Sequence, residues 1–423
     1  MRRTKAFIVI MFTSSFLIIF YSMFNPQFMN SQTLSEEIEL ATVINEVPVV
    51  STNIVINKNV STEKKKRTRT EGVQPVTFSA SFREFIPQNS AFWNRKLHSL
   101  LRQQAKANAS GHVRPNSHCQ PESSESLYMN IPDYREYPEL YQDFVRGMEC
   151  RNPRIIIDQP KKCASVGKVF LLFAIKSVPR HFERRQAVRE TWGKEKTYPG
   201  GLVVKTVFLL GTSSMDSPNL DNLVTFEAKV FGDILVWDFQ DSFFNLTLKE
   251  HVFFKWALHN CHHVSFIFKG DDDIFANTPA ILHYLQSLEP EKASKMYIGQ
   301  VIFNATPLRN VNNKYYVPKT FYEGAYPAYA GGGGFLFPGA LLQPLYLISQ
   351  YIPFFPIDDV YTGMCFKALN ISPEKHNGFQ TFDIREEDRS NACVYKDLLL
   401  VHRRSPEQNI RLWRNMHSPL LTC

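Results

Sequence analysis

Long apolar runs and segments of mixed polarity alternate along the middle of the chain. Residues 169–175, 203–210, 234–237 and 265–269 are nearly uninterrupted apolar runs, as expected for strands buried on both faces. The segments between them predict helices at 179–192, 220–231 and 247–261. Strands that alternate with helices pair in parallel, so the pattern predicts an α/β fold with a Rossmann-like, mostly parallel sheet.

Further elements are predicted on the carboxyl side of these strands. The pattern indicates a helix at 279–288, a strand at 296–303 and a late strand at 398–401 that leads into His402. Thr247 and Glu250 have the spacing of a capping box at the start of the 247–261 helix.

The amino-terminal segment has a different pattern. Residues 6–24 are apolar or small and uncharged, which is about long enough for a helix to cross a bilayer. Basic residues precede the run and no small-x-small cleavage pattern follows it. We therefore predict a cytoplasmic tail at 1–5 and a type II signal anchor at 6–24.

The segment that follows the predicted anchor is poor in apolar runs. Residues 25–118 are rich in polar residues, and this composition predicts a largely disordered luminal stem. Within it, residues 82–101 are the exception, and we expect them to form a short helix docked on the core. Residues 119–165, rich in Tyr and Pro and bounded by cysteines, are expected to form a disulfide-tied cap.

Charge and cysteine content narrow the function further. The net charge is +8, with 48 basic and 40 acidic residues, and the excess lies in the first five residues and in a run at 64–69. The remaining chain is formally neutral, so no nucleic-acid-binding face is predicted. Seven cysteines in a luminal chain predict disulfides, with one thiol left over or paired to another molecule, and the sequence leaves the pairing open.

The chain contains five Asn-x-Ser/Thr sequons, which fit exposure in the lumen. Asn59, Asn108 and Asn245 are the predicted glycosylation sites. The sequons at Asn304 and Asn370 are followed by proline, which makes them poorer acceptors.

Three consecutive carboxylates follow the fourth predicted strand directly. If this triplet is extended, Asp271 and Asp273 project to one side and Asp272 projects to the other. The carboxyl end of a buried strand is where open α/β sheets bind ligands. A hard divalent cation would relieve the repulsion and leave positions for phosphate oxygens. The alternative is an acidic turn before a helix that begins near Asn277.

Two common nucleotide-binding motifs are missing from the sequence. Neither a Gly-x-Gly-x-x-Gly turn after the first strand nor a P-loop sequence occurs, which argues against dinucleotide oxidoreductases and P-loop NTPases.

Two later motifs are candidates for the functional site. Four glycines at 331–334 would let the backbone approach a ligand, or would form a flexible loop. Asp358 and Asp359 form a second acidic pair, expected at the start of a helix.

Five motifs together resemble a known family. They are FLLFAIKS (170–177), RRQAVRETWG (184–193), KGDDDIFAN (269–277), YAGGGGF (329–335) and IDDVYTGMC (357–365). In this order they resemble the β-1,3-glycosyltransferases of the Golgi, and the last third resembles the β-1,3-N-acetylglucosaminyltransferases that extend polylactosamine. The resemblance covers residues 119–423 and implies a GT-A fold, with a nucleotide-binding half at 166–278 and an acceptor half at 279–423.

The resemblance implies a reaction and a set of site residues. The reaction is transfer of GlcNAc from UDP-GlcNAc, with inversion, in β-1,3 linkage to the terminal galactose of N-acetyllactosamine-type glycans on glycoproteins or glycolipids. Asp271, Asp273 and His402 would hold Mn²⁺, and Asp359 would be the general base. The implied donor-binding residues are Lys176, Arg184, Arg185, Arg189 and Asp272. The implied acceptor-binding residues are Gly332, Gly333, Gly334 and Asp358.

Some of these positions have a structural alternative. The planar fork of arginine suits buried carboxylates as well as a diphosphate, so one of the three arginines is expected to be structural. The Lys176 side chain could instead be exposed to solvent without contacting the donor, and Trp192 is expected in the hydrophobic core. Gln300 departs from the acidic residue often found at its place in the family, which bears on acceptor choice.

Rival functions remain open from the sequence. A β-1,3-galactosyltransferase using UDP-galactose is the nearest alternative, and an inactive Golgi glycan-binding partner subunit is another. A metal-dependent phosphohydrolase is a third possibility, but the sequence lacks the additional His and Asp clusters that a second metal site would need. The expected partners are the UDP-sugar, the glycan acceptor and the Golgi membrane, together with homo- or hetero-oligomers of related transferases.

Overall fold

The computed structural model describes residues 77–107, 121–164, 167–214 and 218–423. The predicted anchor at 6–24, most of the stem, and the sequons at Asn59 and Asn108 lie outside these ranges. Among the described helices, none has the length and apolar content needed to cross a bilayer.

The described elements alternate as the sequence predicts. The helices are α1 (Ala80–Phe85), α2 (Phe92–Ala107), α3 (Ser124–Asn130), α4 (Glu139–Gly147), α5 (Phe182–Glu190), α6 (Pro218–Phe231), α7 (Leu246–Asn260), α8 (Thr278–Gln286), α9 (Pro290–Lys295), α10 (Leu342–Ser349), α11 (Asp358–Ala368) and α12 (Pro406–Met416). The strands are β1 (Ile155–Ile157), β2 (Val169–Lys176), β3 (Lys196–Tyr198), β4 (Leu202–Thr212), β5 (Ile234–Gln240), β6 (Phe266–Asp271), β7 (Ile274–Ala276), β8 (Ile298–Ile302), β9 (Tyr329–Pro338), β10 (Glu374–Lys375), β11 (Phe379–Gln380) and β12 (Leu400–His402).

A mixed sheet organises the described fold. Its strand order is β1-β5-β4-β2-β6-β9-β8-β10, with β3 beside β4. Strands β5, β4, β2 and β6 pair in parallel, as predicted from the apolar runs. Strand β9 is antiparallel to both β6 and β8, so the sheet as a whole is mixed rather than mostly parallel. The glycine block at 331–334 lies within β9 and is therefore not a loop.

A second, three-stranded sheet lies beside the end of β6. Its order is β11-β12-β7, and His402 pairs with Ile274 across the antiparallel β12–β7 ladder. Because Ile274 follows the acidic triplet directly, this ladder brings His402 next to Asp273.

The main sheet is covered on both faces. Along β2, Leu172 and Ala174 point into one apolar cluster, while Leu171, Phe173 and Ile175 point into the other. This alternation on a fully apolar strand is the reason why its sequence has no period of two. Trp192 is fully buried on the second face, where its Nε1 donates to the Ile274 carbonyl at 3.1 Å, so the prediction of a core residue is confirmed.

The compact fold begins before residue 119. The segment predicted as one docked helix at 82–101 forms two helices, α1 and α2, that pack against the first face of the sheet. Phe82 and Trp93 are completely buried, and Trp93 Nε1 donates to the Pro353 carbonyl at 3.1 Å. Residues 77–107 of the expected stem therefore belong to the folded core.

The two predicted helix starts have different outcomes. Asn277 caps α8, because its Oδ1 accepts from the Ala280 N–H at 3.2 Å. The prediction of a capping box at Thr247 and Glu250 is wrong. Thr247 Oγ1 donates to the Phe355 carbonyl at 2.6 Å, and Glu250 pairs with Lys269 at 2.7 Å. Both side chains are buried and serve tertiary contacts instead of the helix end.

Disulfides tie distant parts of the described chain together. Cys163 is bonded to Cys261 at the end of α7, and Cys393 is bonded to Cys423. Cys150 is also disulfide-bonded. Cys365 is a buried free thiol in α11, which matches the expected unpaired cysteine.

Candidate active site

The acidic triplet turns where β6 ends. Asp271 is the last residue of β6, and Asp272 and Asp273 form the turn into β7. Asp271, Asp273 and His402 offer ligand atoms that all lie within 4.8 Å of one another. His402 Nε2 is 3.1 Å from Asp273 Oδ1 and 3.8 Å from Asp271 Oδ2. The three expected metal ligands therefore converge, although the triplet is a turn rather than a continuous strand.

The ring of His402 is oriented by a backbone carbonyl. Its Nδ1 lies 2.9 Å from the Thr381 oxygen, which can only accept a hydrogen bond, so Nδ1 carries a proton. Nε2 then faces the carboxylates, as a metal-binding imidazole requires. Burial alone would lower the pKa of His402, but the Asp273 hydrogen bond and the Asp271 charge outweigh it and raise that pKa.

The two carboxylates of this group are in different electrostatic surroundings. Burial raises the pKa of Asp271, and the nearby Asp273 carboxylate adds to that effect against the opposing charge of Lys176. Burial also acts on Asp273, but the His402 hydrogen bond and the charge of Arg184 outweigh it and lower its pKa. This acidic group therefore holds concentrated negative charge, the setting that a hard cation would neutralise.

Asp272 points away from the other two aspartates, as the sequence predicts. Its side chain is 5% exposed and accepts hydrogen bonds from Ser177 Oγ at 2.7 Å and Arg184 Nη1 at 3.1 Å. His181 Nδ1 lies 2.8 Å from the same carboxylate. Arg184 Nη1 is also 3.2 Å from Asp273 Oδ2, so one guanidinium bridges the carboxylates of Asp272 and Asp273.

Lys176 connects the triplet to the second acidic pair. It ends β2 in register with Asp271, and its Nζ is 3.1 Å from Asp271 Oδ1 and 2.7 Å from Asp358 Oδ2. Burial would lower the pKa of Lys176, but these carboxylates outweigh burial and raise it well above its usual value. The side chain is 9% exposed, which excludes the solvated alternative.

The second acidic pair starts α11, as predicted. Asp358 is its first residue and Asp359 its second. Burial and the adjacent Asp358 charge raise the pKa of Asp359 well above the usual aspartate range. A carboxylate with a raised pKa is a stronger proton acceptor once ionised, which suits a general base.

The glycines of β9 make room for these side chains. A Cβ built on Gly332 would lie 2.6 Å from Asp359 Oδ1 and closer still to Oδ2. A Cβ on Gly333 would lie 3.2 Å from the His402 ring. Gly332 and Gly333 line the cavity, whereas Gly334 packs against Leu400 and Phe268. The block therefore lets the Asp359 and His402 side chains approach the strand, where sequence analysis had expected a ligand to approach.

These residues share one cavity of about 770 Å³. Both acidic motifs, Lys176, Arg184 and His402 line it. The lining also includes side chains with aromatic or cationic groups, namely Phe243, Lys314, Tyr315, Tyr329, Phe382 and Arg403. A cavity of this size, with converging polar groups and an aromatic wall, fits a sugar-sized ligand with a charged portion.

Arg185 and Arg189 lie outside this cavity, contrary to the expectation that they contact the donor. Arg185 is fully buried and binds Glu227 through Nη2 at 2.6 Å and through Nε at 2.9 Å. Arg189 binds Asp233 at 2.7 Å and also reaches Glu227 at 2.7 Å. Two of the three arginines, rather than one, are therefore partners of buried carboxylates.

Sequence reasoning missed several residues around the site. Ser177 and His181 hold Asp272, and their place just after β2 could have suggested such a role. Thr381 orients His402 through its backbone, and the sequence carries no local signal for that contact. Gln300 Oε1 accepts from the N–H of Thr381, the residue whose carbonyl orients His402, so Gln300 is linked to His402 through Thr381.

Comparison with known proteins identifies the family of the chain. Residues 183–377 match the Galactosyltransferase family. The mouse protein named N-acetyllactosaminide β-1,3-N-acetylglucosaminyltransferase 2 is 46% identical over 346 residues, which cover 79% of this chain and 86% of that protein. The chain belongs to the galactosyltransferase family. Asp271, Asp273 and Asp359 fall inside the matched range, whereas Lys176 and His402 lie outside it.

Other members of the galactosyltransferase family are similar over most of the chain. The human protein named acetylgalactosaminyl-O-glycosyl-glycoprotein β-1,3-N-acetylglucosaminyltransferase is 39% identical over 300 residues, covering 69% of this chain and 77% of that protein. Among solved structures, a galactosyltransferase in complex with donor and acceptor sugar analogues aligns with a TM-score of 0.32 at 10% identity. It covers 59% of this chain and 97% of that one.

Proposed function

We propose that this protein transfers GlcNAc from UDP-GlcNAc to O3 of a terminal galactose in N-acetyllactosamine-type glycans, forming a β-1,3 linkage with inversion. The observation that carries the proposal is the convergence of an Asp-Asp-His group and the buried Asp359 in one cavity. The names of the relatives give the donor sugar and the linkage. A GT-A assignment of the fold is part of the same proposal.

The ligand group fits a divalent cation such as Mn²⁺. Asp271 and Asp273 offer carboxylate oxygens and His402 offers Nε2, a mixed oxygen and nitrogen set that suits Mn²⁺. The Thr381 carbonyl fixes the ring so that Nε2 faces the carboxylates. A cation bound there would supply Lewis-acid stabilisation to the departing diphosphate, whose low basicity removes the need for a general acid.

Side chains of the protein would accept the proton of the acceptor hydroxyl and orient the donor. Asp359 accepts the proton of the acceptor O3 hydroxyl while that oxygen attacks the anomeric carbon opposite the leaving UDP. General base catalysis of this kind contributes about 100- to 10,000-fold. Arg184, at the cavity wall beside Asp272 and Asp273, is placed to contact the donor diphosphate. Lys176 holds Asp271 and Asp358 in position.

A donor-by-acceptor activity screen tests the proposal. The full-length chain in detergent would be incubated with Mn²⁺, UDP-GlcNAc or UDP-galactose and N-acetyllactosamine acceptors, followed by linkage analysis of the product. We expect a β-1,3-linked GlcNAc product. Turnover only with UDP-galactose would establish the rival galactosyltransferase. Glycan binding without turnover by either donor would establish an inactive binding subunit.

Two conservative substitutions separate the roles of the carboxylates. Asp359→Asn should abolish transfer and retain Mn²⁺-dependent UDP binding, because it removes only the proton acceptor. Asp271→Asn should lose that binding, because it removes a metal ligand. Asp143→Asn, at a surface position with 56% side-chain exposure, is the matched control. Full transfer activity in Asp359→Asn would eliminate Asp359 as the general base. Calorimetric titration with UDP in the presence of Mn²⁺ measures the binding of UDP by each variant.

The same proposal includes a Golgi location, with a type II anchor at 6–24 and the catalytic part in the lumen. The disulfides Cys163–Cys261 and Cys393–Cys423 support it, since such bonds persist in oxidising compartments. Protease protection of a carboxyl-terminal tag in sealed Golgi vesicles tests the orientation. Digestion of the tag without detergent would refute it.

A further inference from the structure

Arg403 has an unusual backbone conformation beside the candidate metal ligands. It follows His402, the last residue of β12, and its φ is 62°, in the left-handed region. Glycine and asparagine enter this region readily, whereas residues with long side chains seldom do. A residue held there costs free energy and persists where the surrounding contacts impose it, most often at functional sites. Since a glycine would fit this turn better, the reason for an arginine here lies in its side chain.

Arg404, the next residue, holds this turn in place. Its N–H donates to the Asp273 carbonyl at 2.7 Å, and its Nη1 donates to the Arg403 carbonyl at 2.9 Å. The guanidinium of Arg404 is buried, and its Nε donates to the Tyr395 hydroxyl at 2.8 Å. These hydrogen bonds fix the backbone of Arg403 without using its side chain, which therefore remains available for a ligand.

The Arg403 side chain is an unpaired cation in the catalytic cavity. It is exposed and lines the cavity, and no carboxylate of the described residues forms an ion pair with it. Lys176 and Arg184, by contrast, are each held between two carboxylates. Lys314 also lines the cavity without a carboxylate partner in the described ranges, but its Nζ lies over the Tyr315 ring at 4.6 Å. Arg403 is therefore the cation beside the metal ligands whose charge no described contact uses.

The elements on either side of Arg403 place it near the acidic triplet. The turn leads from β12, which ends at His402, into α12, and α12 packs against α5. Helix α5 carries Arg184 and is preceded by His181, and both of these side chains line the cavity and contact Asp272. Arg403 thus connects a metal ligand to the helix pair that borders the triplet. A ligand bound to a cation at this triplet would lie next to Arg403.

The two acidic motifs carry more negative charge than their partners balance. Five carboxylates line the cavity, at 271–273 and 358–359, and Lys176 and Arg184 are the cations that pair with them. A divalent cation would supply two further positive charges, which leaves this group with an excess of one negative charge when the base is ionised. A diphosphate brings additional negative charge, and a further cation must compensate it in a cavity of this kind.

We propose that Arg403 binds the diphosphate of the nucleotide-sugar donor and stabilises it as the leaving group, an inference that rests on the proposed function. As the acceptor O3 bonds to the anomeric carbon, the bond from that carbon to the diphosphate oxygen breaks, and its electron pair stays on the diphosphate. The O3 proton passes to Asp359. The charge that grows on the diphosphate is met by the Arg403 guanidinium, whose planar fork can donate two parallel N–H bonds to phosphate oxygens.

Calorimetric titration with UDP in Mn²⁺ tests the contact in the full-length chain. Arg403→Gly removes the guanidinium while glycine keeps the φ of 62° without strain. We expect its affinity for UDP to fall by about tenfold or more, and its melting temperature to equal or exceed that of the wild type. Arg403→Met should show the same loss of affinity. Arg154→Met, at a position outside the cavity with 77% side-chain exposure, is the matched control and should bind UDP as the wild type does.

Steady-state transfer assays separate the diphosphate from other ligands. In both Arg403 variants the KM for UDP-GlcNAc should rise by about tenfold, whereas the KM for the acceptor and the inhibition by uridine, which has no phosphate, should stay within about twofold. Wild-type UDP affinity in Arg403→Gly would overturn the proposal. A raised KM for the acceptor with unchanged UDP affinity would also overturn it, by assigning Arg403 to the acceptor. A lowered melting temperature that accompanies the loss of affinity in Arg403→Gly would show a structural role instead.

These outcomes are distinguishable from a failure of the proposed function. A wild-type chain that binds UDP without transferring GlcNAc would refute the proposed transfer, while the loss of UDP affinity in Arg403→Gly would still establish the diphosphate contact. Normal transfer of GlcNAc by Arg403→Gly, with normal UDP affinity, would refute the diphosphate contact alone.

Discussion

Gly332→Ala should displace Asp359, the proposed general base, without changing the chemistry of its carboxyl group. The added methyl group would lie 2.6 Å from Asp359 Oδ1 and closer to Oδ2, well inside the distance that real Cβ atoms keep. The carboxylate must therefore retreat by about 1 Å, and a misplacement of that size can cost on the order of 100-fold in rate. A 100-fold loss corresponds to about 2.7 kcal/mol of transition-state stabilisation. Folding should survive, because the obstructed group is the end of a side chain.

The assay is the kcat for GlcNAc transfer, together with calorimetric binding of UDP in Mn²⁺. Gly332→Ala should lower kcat by about 100-fold and leave UDP binding intact. The matched control is Gly147→Ala, where a Cβ meets nothing within 4 Å, and it should behave as the wild type. A kcat within threefold of the wild type would refute the reasoning.

Three other features of the structure can each be tested by one experiment. Gln300→Ala removes the acceptor for the Thr381 N–H and so loosens the residue that orients His402; the Mn²⁺ concentration for half-maximal activity should rise by about tenfold, and Gln300→Glu should restore it. Because Asp359 must be ionised to accept a proton and its pKa is raised, kcat should fall with decreasing pH around a midpoint above about 4, the ordinary aspartate value; a midpoint at or below that value would contradict the assignment. Arg185→Met removes one of the two arginines that bind the buried Glu227 and should reduce the free energy of unfolding by about 1.5 to 3 kcal/mol in urea denaturation, since Arg189 still pairs with that carboxylate. An effect below 1 kcal/mol would show that the pair is dispensable.

The parallel half of the sheet was predictable because its strands are buried on both faces. A continuous apolar run such as 169–175 has few alternatives in a soluble domain, and four runs separated by helices fix the pairing direction. The acidic triplet was predictable for a related reason, since ligands bind at the carboxyl ends of such strands. Asp271 and Lys176 end adjacent parallel strands in register, so their contact also follows from the topology.

The remaining features depend on contacts between distant parts of the chain. Whether an arginine meets a ligand or a buried carboxylate is decided by what α6 and β5 bring to it, and the local sequence of Arg185 does not contain that information. Thr247 and Glu250 have capping-box spacing, but the burial of α7 commits them to Phe355 and Lys269. The block at 331–334 is likewise held in β9 by pairing at its two ends, where Ala330 pairs with Val301 of β8 and Gly334 with Gly270 of β6, against the weak local preference of glycine for strands.

The charge balance of the cavity explains why its two acidic motifs work together. Lys176 is shared between Asp271 and Asp358, and a single ammonium group can offset only one of these carboxylates. Asp271 and Asp359 both have raised pKa values, because burial outweighs the opposing charge of Lys176 at each of them. A divalent cation at the Asp271 end would take over the charge that Lys176 now balances there. Lys176 would then be free to compensate the Asp358–Asp359 pair, so that metal binding at β6 and ionisation of the base at α11 are expected to favour one another.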